Sequence, residues 1–159
     1  MKNSNKSASF TKYFILFSIL IALISNVIAV INFLSNDISD SLWSITNKGL
    51  YYFLAFFIQA ILLLLILFLT YQFMQNVESK DYFNHNNYDK IFLIATLTIL
   101  YGGLNMTKGY LRAPLEYKTL LDTSVDTNLL LIILSIATLT YLTIYDESKK
   151  IKEENDLTI

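Results

Sequence analysis

The side chains that could do chemistry are few and widely separated. The sequence has no cysteine, which excludes thiolate metal ligation, disulfides and thiol redox chemistry together. It has one histidine, His85, in the polar stretch 80–92. A single imidazole cannot supply a haem held between two histidines or a multi-histidine zinc site within one chain. In a polar loop a lone histidine is more often just solvated, with a pH-sensing or metal-binding role as the alternative. Ser18, Ser25 and Ser135 lie in apolar runs with no base beside them to activate a nucleophile. No catalytic, cofactor-binding or metal-ligating set emerges, and the expectation is a protein that is not an enzyme and carries no cofactor.

That expectation sharpens once the elements carrying these residues are drawn. Residues 50–73 are twenty-four in a row without a charged side chain, centred on the aliphatic stretch 61–69. At about 1.5 Å per residue such a helix reaches roughly 36 Å, enough to cross a hydrocarbon core of about 30 Å with some tilt. Three further runs, 13–34, 91–106 and 127–145, complete four expected spans. The predicted fold is therefore all-α, a four-helix membrane bundle forming one domain over residues 1–159, with a charged tail at 146–159. The composition agrees: 54% of residues are hydrophobic and only 16% charged, where a soluble domain carries about a quarter. The mean hydropathy is +0.47. With 12 basic and 13 acidic side chains there is no polyanion-binding surface, which argues against direct nucleic-acid binding.

Within the four runs as drawn there is no Asp, Glu, Lys, Arg or His. Proton-coupled transport and intramembrane catalysis normally need such groups, which are costly in lipid and kept there for function. The run 13–34 follows Lys2, Lys6 and Lys12 as a signal peptide would. Its length and the lack of a small-x-small site predict an uncleaved first span instead. Lysine and arginine counts orient the spans. Lys2, Lys6, Lys12, Lys80, Lys90, Lys149, Lys150 and Lys152 fall on one side, and Lys48, Lys108, Arg112 and Lys118 on the other. Both termini are expected in the cytoplasm, in a multi-pass protein of a cytoplasmic membrane.

Polar and small residues inside the runs predict the seams. Ser18, Ala22, Ser25, Ala29 and Asn32 share one helical face, and Ala95, Thr98, Gly102, Asn105 and Gly109 share another. Small side chains let backbones approach and polar ones bond across the contact. These faces are expected to meet in the bundle interior, with Gln59 from the second span and Ser135 and Thr138 from the fourth. The alternative is a pathway for a solute or lipid lined by Asn26, Asn32, Gln59 and Asn105, which would make the chain a small transporter, channel or lipid-binding protein. Trp43 is expected to anchor a loop at the membrane interface. Lys108 should snorkel towards the headgroups, and Pro114 should open a turn or a short interfacial helix.

Two segments on the lysine-rich side remain. Asn86 or Asn87 is a candidate N-cap for the third span. The tail turns from basic to acidic and ends on Leu157-Thr158-Ile159, apolar groups that could dock on a partner.

Tyr82-Phe83 followed by Asn87 ahead of a membrane helix, and the closing Glu153-Glu154-Asn155-Asp156-Leu157-Thr158-Ile159, resemble the bacterial membrane proteins grouped as domain of unknown function 2975. The resemblance implies a four-span protein of the bacterial inner membrane with no established catalytic residues. It also implies a partner, because members are often encoded beside a small helix-turn-helix DNA-binding protein. On that reading Phe83, Asn87, Glu154, Asp156, Leu157 and Ile159 are the candidate docking residues. Asn32, Gln59, Gly102 and Asn105 are the candidate interhelical seam. The expected partners are the lipid bilayer, a cytoplasmic DNA-binding regulator or another membrane protein, and a second copy of the chain. An accessory subunit packed against a larger membrane complex is a third class.

Overall fold

The structure is a computed structural model that describes residues 2–36, 42, 46–79 and 85–139, with side chains from Ser9 onward and, in the third helix, from Asn86. Among the described residues there are five helices and no strand: α1 (Lys2–Leu34), α2 (Lys48–Glu78), α3 (His85–Tyr110), α4 (Leu115–Leu120) and α5 (Ser124–Leu139). Segments of α1, α2 and α3, namely Ser9–Leu34, Lys48–Glu78 and Asn86–Tyr110, are long and apolar enough to cross a membrane; α5 is a shorter apolar helix. The remainder of the expected fourth span, 140–145, lies outside the described residues, as does the tail.

α2 is the central helix, packed against both α1 and α3. Its Leu62, Leu63, Ile66 and Leu67 meet Ile15 and Ala22 of α1, Tyr101 of α3, and Leu130 and Ile133 of α5 in one apolar cluster. Neighbouring long helices run antiparallel. Lys12 of α1 pairs with Glu78 at the far end of α2, the one ion pair among the described residues. At the other end Phe33 of α1 stacks on Phe53 of α2 at 5.1 Å between ring centres.

The helices extend beyond the charge-free runs because a helix does not stop at its first charged residue. α2 starts at Lys48 and runs to Glu78. Asn47 is its N-cap, its side-chain oxygen accepting from the Gly49 N–H at 2.8 Å. α3 reaches Tyr110 and therefore includes Lys108. It begins at His85, which puts Asn86 and Asn87 inside its first turn rather than at the cap. Pro114 caps α4 with φ −51°, in keeping with the short helix that the proline predicts.

Candidate functional site

The buried charged groups of the interior, Lys108 and Asp126, collect with polar partners at the end of the bundle opposite the Lys12–Glu78 pair, and α1, α2, α3 and α5 all contribute. Lys108 of α3 is 97% buried. Its Nζ sits 4.7 Å from the ring centre of Tyr52 and 5.5 Å from that of Phe56, one turn apart on α2. It donates to Thr123 Oγ1 at 3.3 Å. Asp122 and Asp126 supply the nearby negative charge. Asp126, in the first turn of α5, is also buried and accepts from the Asn26 side chain of α1. That position suits a carboxylate, since a helix N-terminus carries partial positive charge. Asp122 accepts the Ser124 N–H at 2.9 Å and the Ser124 hydroxyl at 2.8 Å, which satisfies the start of α5.

A second chain of contacts runs deeper. Gln59 of α2, fully buried, donates to the Tyr101 carbonyl of α3 at 3.3 Å, and the Tyr101 hydroxyl lies 3.2 Å from Thr127 Oγ1 of α5. Gln59 Oε1 has no hydrogen-bond partner. Beneath α4 the end is closed by Phe33, Leu42, Tyr52, Phe56, Ala113, Tyr117 and Leu121, a cluster rich in aromatic rings. Outside it, Tyr52, Asn105, Lys108, Lys118, Asp122 and Thr123 line part of a polar cleft of about 460 Å³ between α3, α4 and α5.

The expected seam is only partly the one that forms. Ser18 and Ala22 face inward with Asn26, but Asn32 is exposed. On α3 the inward face is Ile94, Leu97, Tyr101, Leu104 and Lys108, one residue back from the small-residue face. Ala95, Gly102, Asn105 and Gly109 are exposed, and a Cβ added to Gly102 or Gly109 would meet nothing within 4 Å. Two physical reasons account for the rotation. The hydroxyls expected to bond across helices bond back to their own helix instead: Ser18 to the Phe14 carbonyl, Thr98 to Ile94, Ser135 to Leu131 and Thr138 to Leu134. They need no partner and fix no face. Lys108 and the Tyr101 hydroxyl, by contrast, are costly against apolar surroundings unless paired. Turning them inward sets the rotation of α3. Lys108 accordingly points into the bundle and not to the headgroups. A passage lined by Asn26, Asn32, Gln59 and Asn105 does not form within one chain, since Asn32 and Asn105 lie on the outside and Gln59 is enclosed.

Asn87 is buried and accepts from the Asn76 side chain at 2.7 Å, so it ties the last turns of α2 to the first turn of α3. Phe83, Glu154, Asp156, Leu157 and Ile159 lie outside the described residues, as does Trp43. Sequence reasoning singled out Gln59 but missed the joining of Lys108, Asp126, Asn26 and Tyr52. The available signal was Tyr101 and Lys108 seven residues apart, two turns of one helix, on the stripe of Ile94, Leu97 and Leu104. Among the described residues no three His, Asp or Glu side chains converge as a metal site would require.

No curated protein and no solved structure is significantly similar to the chain. The family described as Protein of unknown function (DUF2975) matches residues 31–159, which takes in everything from the end of α1 onward. With the resemblance carried by Tyr82-Phe83, Asn87 and residues 153–159 thus extended over most of the sequence, the chain belongs to the DUF2975 family of proteins of unknown function.

Proposed function

We propose that the chain is a non-enzymatic accessory protein of a bacterial cytoplasmic membrane, crossing it four times, and that it acts through a cytoplasmic partner such as a helix-turn-helix regulator. The observation that carries this reading is the one-sidedness of the bundle. Among the described residues α1 starts, α2 ends, α3 starts and α5 ends at the Lys12–Glu78 end, so by chain connectivity the segments that precede Ser9, follow Ser79 and follow Leu139 attach there. The opposite end is covered by α4 with its aromatic cluster. Eight of the twelve basic side chains belong to the Lys12–Glu78 end and the segments attached to it, which favours placing it in the cytoplasm. An end to which the basic segments attach, opposite one covered by α4, suits a platform for a soluble partner.

Orientation can be read directly, because the sequence has no cysteine to give background. Asn3→Cys and Thr158→Cys are expected to react with a membrane-impermeant maleimide only after the cells are opened. Glu116→Cys, on exposed α4, should react in intact cells. The reverse pattern overturns the orientation.

The function itself is tested by crosslinking in native membranes, with the full chain compared with one truncated after Lys152. The expected result is a small DNA-binding protein recovered with the full chain and lost on truncation. Recovery of membrane proteins alone, equally from both, overturns it.

A further inference from the structure

The exposed small-residue face of α3 runs between two unlike cavities. At one end is the polar cleft of about 460 Å³, lined among others by Asn105, Lys118, Asp122 and Lys108, whose ammonium group is turned towards Tyr52 and Phe56. Towards the other end is an apolar groove of about 520 Å³ between α2, α3 and α5, lined by Phe73, Ile94, Thr98, Ile99 and Leu134 among others. Between them lies Gly102, where an added Cβ would touch nothing within 4 Å. The two cavities therefore lie along one open lane on a single helix face.

The dimensions and charges of this lane suit one kind of occupant. From Asn105 to Thr98 is seven residues, roughly 10 Å along the helix. An acyl chain spans about half of a 30 Å hydrocarbon core, roughly 15 Å, and so would reach from the polar cleft into the groove. Among the charged groups lining the cleft, Lys118 and Asp122 are exposed, one of each sign, while the buried Lys108 ammonium is taken up by Tyr52, Phe56 and Thr123. A purely anionic headgroup would meet Asp122 unfavourably, and a purely cationic one would meet Lys118. A zwitterion satisfies both signs. Asp122 Oδ1 and Oδ2 each accept one bond from Ser124, and a carboxylate oxygen can accept more than one.

The geometry points to a binding site for one phospholipid with a phosphoethanolamine headgroup. The phosphate lies against Lys118, the amine lies against Asp122, and one acyl chain follows Gly102 into the groove between α3 and α5. This site stands apart from the partner reading and does not depend on it.

The test uses the full chain in nanodiscs holding equal amounts of dioleoyl phosphatidylethanolamine and dioleoyl phosphatidylglycerol, then released into mild detergent for native mass spectrometry. One phosphatidylethanolamine per chain is expected to remain bound, preferred over phosphatidylglycerol by about tenfold. Asp122→Asn keeps an oxygen for Ser124 while removing the charge, and is expected to abolish the preference. Gly102→Leu fills the lane at an open position, and is expected to release the lipid from a chain that stays folded and of unchanged size. Four results overturn the site: no lipid retained, phosphatidylglycerol retained as well as phosphatidylethanolamine, lipid retained by Gly102→Leu, or a dimer dissociated by that substitution. The last would give the lane to a second copy of the chain.

Discussion

Lys108→Met is expected to lower the stability of the bundle by about 3 kcal/mol, read as a lower midpoint of denaturation in mild detergent. Methionine keeps the length of the stem and its contact with Tyr52 and Phe56, so the loss reports the ammonium. Breaking a buried charge pair costs roughly 3–5 kcal/mol, because the remaining charge is left uncompensated. The low end applies here, since among the described residues no carboxylate is in direct ion-pair contact with Lys108 and Asp126 keeps its bond from Asn26. The cation–π contact with Tyr52 accounts for about 0.5–2 kcal/mol of that loss. The decisive measurement is the double variant with Asp126→Asn, which removes the orphaned charge. Its stability should exceed that of Lys108→Met alone, by a coupling that two independent sites would not show. Simple additivity would mean that the lysine and the aspartate stabilise the end of the bundle separately.

Gly49→Ala should destabilise by about 1–3 kcal/mol, the usual range for overfilling a packed interior. Gly49 lies in the first turn of α2 with its backbone against the ring of Tyr117. A methyl group there would overlap ring carbons of a side chain that is only 2% exposed and held by Phe33 at 5.3 Å between ring centres. The ring cannot swing aside without opening the cluster beneath α4. Tyr117→Leu in the Gly49→Ala background removes the overlap and should return part of the loss. A fully tolerated Gly49→Ala would mean that α4 sits less firmly on α2 than the packing indicates.

The long helices were legible in the sequence because lipid imposes a blunt rule: about twenty residues without charge, and a helix to bury their backbone groups. Their ends were less legible, because the same rule stops at a charge whereas a helix continues through Lys48, Glu78 or Lys108 when those side chains find partners. The rotation was legible in part for α1 and not for α3. On α1 Ser18 and Ala22 of the expected face turn inward, joined by Asn26 from outside that face, while Asn32 is exposed. On α3 two stripes compete one residue apart, and the small-residue stripe lost to the one bearing Tyr101 and Lys108. That outcome depends on Tyr52, Phe56, Thr123 and Thr127, which lie outside α3, and no periodicity within α3 reports them. The docking residues of the tail rest on family resemblance alone and not on packing.

α1 and α2 are 33 and 31 residues long, about 50 and 46 Å at 1.5 Å per residue. A hydrocarbon core of about 30 Å leaves much of that length outside it. Eleven residues of α1, from Lys2 to Lys12, precede the charge-free run that begins at Tyr13, a stiff projection of roughly 16 Å. Lys12 and Glu78 tie α1 to α2 at its base. A membrane that thins or thickens is met by helix tilt. Tilt of a rigid rod sweeps its free end sideways, so the projection would turn a change in bilayer thickness into a displacement in the aqueous phase, as the pointer of a gauge does.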